Sequence, residues 1–130
     1  MSSRPILTPN TYTPIINNVS MATSITGPAT IIQMLPGISY DIVWTGAPVG
    51  TFQVQVSNTF KIADNGAIYS AGSWNTLPTS SFQGTYPVPA GTPGNGFLDV
   101  VGTEAYAVRL VYTATSGTGN LTVVACGKVL

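Results

Sequence analysis

A chain of 130 residues, 44 % hydrophobic and only 6 % charged, fits one domain with an electrically quiet exterior. Its four bases (Arg4, Lys61, Arg109, Lys128) cancel its four acids (Asp41, Asp64, Asp99, Glu104), and no basic cluster exists to hold a phosphate backbone or an anionic membrane surface. Histidine is absent and Cys126 is the single cysteine, which excludes an internal disulfide and every nucleophile that relies on an imidazole.

The opening, MSSRPILTPNTYTPIINN, lacks the apolar run of a secretory leader, so synthesis in a cytoplasm is expected. Nowhere does the sequence reach the roughly 18 continuous apolar residues of a membrane helix. Across residues 1–22, Pro5, Pro9 and Pro14 are spaced through Thr and Asn, which disfavours helix and regular pairing and predicts an extended arm. Its apolar residues Ile6, Leu7, Tyr12, Ile15 and Ile16 are candidate assembly contacts. They suit an arm lying on a neighbouring subunit or one packed along its own domain.

Residues 23–130 read as a single domain. ATIIQML is a short β-branched run closed by the turn dipeptide Pro36-Gly37. Tyr40, Ile42 and Trp44 then share one face, with Asp41, Val43 and Thr45 on the other. After the turn GAPVG the alternation resumes: Phe52, Val54 and Val56 inward, Thr51, Gln53, Gln55 and Ser57 outward. Asp64-Asn65-Gly66 is a turn signal that lacks the further oxygen ligands of a calcium loop. In AIYSAGSWNTLP, Ile68, Trp74 and Leu77 are candidate core residues. Residues 78–96 gather prolines and glycines into a long loop whose aromatics, Phe82 and Tyr86, either anchor a partner or pin the loop to its own sandwich.

FLDVV begins the ordered C-terminal part. AYAVRLVYT puts Tyr106, Val108, Leu110 and Tyr112 on one face, and the largely apolar opposite face suits a central strand. SGTGN is a hairpin loop, and LTVVACGKVL is the closing strand. The expected fold is all-β: an antiparallel two-sheet sandwich, jelly-roll-like, of about seven or eight strands with an extended N-terminal arm.

Chemistry-bearing residues are few. Arg109, inside an apolar strand, needs compensation, and a buried ion pair with Asp41 is expected. Asp41 and Asp99 are the remaining candidates for a carboxylate pair, with a sheet-edge or salt-bridge role the more ordinary use. Cys126 alternates with Val124 and is expected as a small buried core residue. Trp44 with Tyr40 and Trp74 with Tyr69 could stack on sugars or fill the core. No catalytic residue, metal ligand set or cofactor site is expected. A surface made polar by Thr, Ser, Asn, Gln and Gly tolerates being covered by other chains, which predicts an assembly subunit and a homo-oligomer.

The run SYDIVWTGAPVGTFQVQVSN, the lone Trp74 and the closing AYAVRLVYTATSGTGNLTVVACGK together resemble short virion structural proteins of tailed bacteriophages. Those proteins carry a W-T-G-x-P-x-G-T-F hairpin and a V-R-L-x-Y-T-x-T-S-G-T-G-x-L-T strand pair. The resemblance covers roughly residues 25–130 and is weakest across 78–96. It implies a non-enzymatic β-sandwich in the virion, most specifically a capsid decoration or cement protein. Its partners would be copies of itself and other virion proteins, with no nucleic acid or membrane. A carbohydrate-binding module of a tail fibre, or a minor head–tail or baseplate component, are the alternatives.

Overall fold

The computed structural model describes residues 12–32, 37–63, 65–79, 82, 86–91, 94–101 and 105–128. Their strands are β1 (Tyr12–Ser20), β2 (Ile25–Thr26), β3 (Thr30–Ile31), β4 (Gly37–Trp44), β5 (Val49–Ser57) and β6 (Lys61–Ile62), then β7 (Ile68–Ser70), β8 (Asn75–Thr76), β9 (Val88–Ala90), β10 (Asn95–Val101), β11 (Ala107–Ser116) and β12 (Asn120–Lys128). No α-helix occurs among the described residues.

One sheet has the order β1-β12-β4-β10; the other runs β2-β11-β5-β8, with β3 also on β11 and β9 also on β5. Every pairing is antiparallel. Twelve strands exceed the expected seven or eight because two strand positions are interrupted and a small hairpin, β6–β7, is inserted. β2 and β3 meet β11 on either side of Gly27-Pro28, and β8 and β9 meet opposite ends of β5. With each interrupted pair counted once, the sheets are β1-β12-β4-β10 and β2/β3-β11-β5-β8/β9. That is the order of an eight-strand, two-sheet jelly roll.

The period-two pattern explains the packing. Ile38, Tyr40, Ile42 and Trp44 of β4 are buried with Leu98, Val100, Leu121, Val123 and Ala125 of the same sheet. They face Phe52, Val54, Val108, Leu110 and Tyr112 of the other, with Val56 partly buried beside them. Trp44, Phe52 and Tyr112 form a continuous aromatic run, with centroids 5.4 Å and 4.9 Å apart. A one-residue slip of β4 would bury Asp41 and expose Tyr40 and Ile42, so the hydrophobic pattern fixes the register.

The motif-rich hairpin loops lock together at one end. Thr45 N–H donates to Asn120 O at 3.0 Å, and Ala47 N–H donates to Thr118 O at 2.9 Å. Gly46 and Gly117 both have positive φ (77° and 78°), and a Cβ on either would run into the other loop's backbone, Thr118 O and Ala47 O respectively. The W-T-G-x-P and S-G-T-G sequences are two halves of this joint.

Of the two readings of the N-terminal arm, packing along its own domain holds for residues 12–20, and two other expectations need correction. Residues 12–20 of the expected arm are an edge strand, β1, on the domain's own sheet. Pro14 is accommodated because only one side of an edge strand pairs, and the register shifts between Pro14 and Ile16 and again between Ile16 and Val19. Ile68 is not core: it is exposed on the inserted hairpin. The 78–96 stretch is not wholly irregular, since β9 pairs with β5 through Pro89 opposite Thr51, again at a sheet edge.

Candidate functional site

The outer face of the four-stranded sheet carries apolar residues aligned across strands. The register places Pro14 beside Val124, Val124 beside Asp41, and Asp41 beside Phe97. The neighbouring rows are Thr122–Val43–Asn95 and Cys126–Ser39–Asp99. Phe97 is 61 % exposed and Val43 49 % exposed, while Pro14 is exposed and Val124 half-buried. Strands lie about 4.8 Å apart, so the Pro14-to-Phe97 row crosses the sheet in roughly 14 Å. Single exposed apolar side chains are ordinary; here Phe97 and Val43 stand on adjacent strands with Pro14 and Val124 close by on the same face. Asp41 and Asp99 are the acids on this face, and both are exposed.

The opposite side of the sandwich is built differently. Ser57 Oγ accepts the N–H groups of Thr59 and Phe60, each at 3.1 Å, turning the chain back over its own sheet. Phe60 and the half-buried Ile62, Trp74 and Tyr106 then cover Ile31 and Ala107 on the sheet's outer face. Trp74 lies 5.8 Å from Phe60 and donates its indole N–H to Ala71 O at 2.8 Å. Arg109 stacks on Trp74 with its guanidinium carbon 4.1 Å from the ring centre, and its Nε–H donates to Gln55 Oε1 at 2.8 Å. Burial lowers the pKa of Arg109 below the ordinary arginine value.

Beyond Phe60, the β6–β7 hairpin holds out Ile68 at 67 % and Tyr69 at 77 % exposure. Asn58, Phe60, Lys61, Ile62, Tyr69 and Tyr106 line a cleft of about 420 Å³. Asn58 Oδ1 accepts the Tyr106 N–H at 2.8 Å, leaving the amide N–H₂ free to donate. A second hollow of about 380 Å³, over Trp44, Pro48 and Gly91, is lined by residues without a titratable side chain. Among the described residues, no three His, Cys, Asp or Glu side chains come together as a metal-binding group.

Of the residues expected to make assembly contacts, the described side chains lie in the core or against it. Ile6 and Leu7 lie outside the described residues, as does the side chain of Tyr12 on β1. Ile16 is buried in the core and Ile15 packs against it. Tyr86 is also buried, with Phe82 stacked on it at 3.9 Å, so these aromatics pin their loop to the sandwich. The Tyr86 hydroxyl accepts the Val54 N–H and donates to Leu77 O, each at 3.0 Å.

The Arg109–Asp41 ion pair is corrected too: the two residues lie on opposite outer faces, and Gln55 and Trp74 serve Arg109. Cys126 is half-buried on the outer face of β12 rather than in the core, because it shares parity with Val124. Trp44 is buried, its indole N–H donating to Gly91 O at 2.9 Å, whereas Trp74 belongs to the outer cluster.

Phe97 and Val43 are exposed apolar residues that the sequence reading did not single out. Their signal was parity, since each alternates in step with an outward-facing Asp. No protein-family model matches the chain, and no curated protein matches it significantly.

Proposed function

We propose that this protein is a non-enzymatic structural subunit of a bacteriophage virion, most specifically a decoration or cement protein that stabilises the head through protein–protein contacts. The observation that carries the reading is the row Pro14–Val124–Asp41–Phe97 with Val43, which sets exposed apolar side chains around one carboxylate on a chain with very few ions. A partner surface covers Phe97 and Val43 at little desolvation cost where it supplies a hydrogen-bonding or basic partner to Asp41. The resemblance of the two hairpin sequences to short virion proteins also supports the reading, and their glycines form a joint here that a side chain at either position would obstruct. Jelly rolls recur in capsid and lectin domains, so the fold agrees with this role without singling it out.

Cryo-electron microscopy of particles made with and without the protein tests the proposal. Density on the head, together with rupture of the depleted heads at lower temperature, is expected. Density at the neck or baseplate would move the subunit to the tail apparatus. Particles that never contain the protein would overturn the assignment.

The Tyr69 cleft favours a second reading, a glycan-binding module of a tail fibre. An exposed aromatic ring beside a free amide and Lys61 offers a stacking platform with polar donors. Glycan-array binding that is lost in Tyr69→Ala would support it, and an array without signal would remove it.

A further inference from the structure

The four charged side chains among the described residues are segregated. Asp41 and Asp99 stand on the outer face of the four-stranded sheet, and Lys61 and Arg109 on the opposite side of the sandwich. Four of the six large exposed apolar side chains among the described residues divide in the same way, Phe97 and Val43 with the acids, Ile68 and Tyr69 with the bases. Arg4, Asp64, Glu104 and the side chain of Lys128 lie outside the described residues. Among the described residues, the molecule therefore has two unlike faces, each apolar and each carrying the charge the other lacks.

We propose that copies of this chain stack head to tail, the Asp41–Phe97 face of one against the Lys61–Tyr69 face of the next. The inference rests on the structural-subunit reading for its biological use, but it stands on the placement of these residues. Contact between two copies of the acidic face would set Asp41 near its own counterpart in a low-dielectric seam, which like-charge repulsion opposes. Contact between two hairpin faces would do the same with Lys61. Among the described residues, only the heterologous arrangement sets acid against base while covering both apolar sets. Arg109 contributes from the floor of the basic face, since Gln55 takes only its Nε–H and leaves the terminal N–H groups as donors. The far side of each added copy presents the same free face as before, so the contact propagates into a ring or a filament.

The test uses two charge reversals at exposed positions, Asp41→Lys and Lys61→Glu, with far-ultraviolet circular dichroism and thermal melting to confirm that both variants fold. Sedimentation velocity over a concentration series should show wild-type protein associating beyond the dimer. Each variant alone should weaken association by about tenfold or more, because Asp41→Lys sets a base against Lys61 of the next copy and Lys61→Glu sets an acid against its Asp41. Mixed in equal amounts, they should regain wild-type association. The two reversed positions then oppose each other with inverted signs at one contact, and the native Asp41 and Lys61 meet at the next.

A wild-type protein that stays monomeric at high concentration, single variants that associate normally, or a mixture that recovers nothing would each overturn the proposal. Recovery that stops at a dimer would also overturn it, in favour of face-to-face pairing. Particle binding is scored separately. A monomer that still decorates heads sinks the stacking but not the virion role, and a head-to-tail oligomer found on no particle does the reverse.

Discussion

Tyr86→Phe isolates one hydroxyl that joins three elements. The ring is buried and would keep its stacking on Phe82 at 3.9 Å, so the apolar contact survives the change. Two polar groups lose their partner: the Val54 N–H of β5 and the Leu77 carbonyl beyond β8, each 3.0 Å from the hydroxyl. Leaving a buried backbone group unsatisfied costs about 1–3 kcal/mol, so the pair should cost about 2–4 kcal/mol. For a domain of this size that corresponds to a fall in Tm of roughly 6–15 °C. Tyr40→Phe and Tyr112→Phe are the controls, because both hydroxyls are buried without a hydrogen-bond partner. Removing them strands nothing and relieves a desolvated group, so their melting temperatures should match or exceed wild type. Differential scanning calorimetry and urea titration of the three variants decide the matter. If Tyr86→Phe loses no more stability than Tyr40→Phe, the hydroxyl is not what fastens the 78–90 segment to the sandwich.

Gly117→Ala should cost about 2 kcal/mol of stability or more in urea titration, since φ of 78° disfavours a side chain and the new Cβ meets the Ala47 carbonyl. Alkaline titration followed by circular dichroism should show stability falling above about pH 10. Burial raises the Tyr40 pKa above its unfolded value, so the unfolded chain releases that proton first and unfolding is favoured as pH rises; Tyr40→Phe should remove this contribution. Phe97→Ser should leave stability within the scatter of surface substitutions, about 0.5 kcal/mol, whereas Phe52→Ala should cost about 3–5 kcal/mol. A large loss from Phe97→Ser would mean that the residue supports its own domain rather than a contact.

The strands most legible in the sequence were those whose alternation is uninterrupted, β4, β5 and β11. In each, the large apolar residues recur at every second position and are buried, Val56 partly, so a local pattern fixes the inward residues. The jelly-roll order was less legible, because the strands on either side of β12 come from the N-terminal segment and from Gly37–Trp44, far away in sequence. Proline misled twice. Pro14 and Pro89 sit in edge strands where the missing N–H can be spared, and local reading cannot tell an edge from a centre. Arg109 was rightly marked as needing compensation, but naming its partner required knowing which sheet holds each strand. Gln55 lies directly opposite on β5, a neighbour that only the strand pairing supplies. For Tyr86 the sequence left two readings, partner anchor or loop pin, because the backbone groups that hold its hydroxyl leave no trace in side-chain pattern.

What separates folding from contact here is where the hydrogen bonds and glycines are placed. The joint between the 45–48 and 117–119 loops, the Tyr86 bridge and the Ser57 turn are all satisfied within the chain. By contrast Phe97, Val43, Ile68 and Tyr69 stand well out of their own domain, each on an element already held by backbone pairing. Cutting such a side chain back removes little internal packing, so its size must be maintained by something outside the monomer or by nothing at all. That divides the two cases experimentally. In a saturation scan scored for folding alone, these four positions should accept polar residues, whereas Tyr40, Phe52 and Tyr86 should not. Scored for assembly, the same four should become restrictive. If both scores tolerate the same residues at Phe97 and Tyr69, the exposed strips are incidental and neither face is an interface.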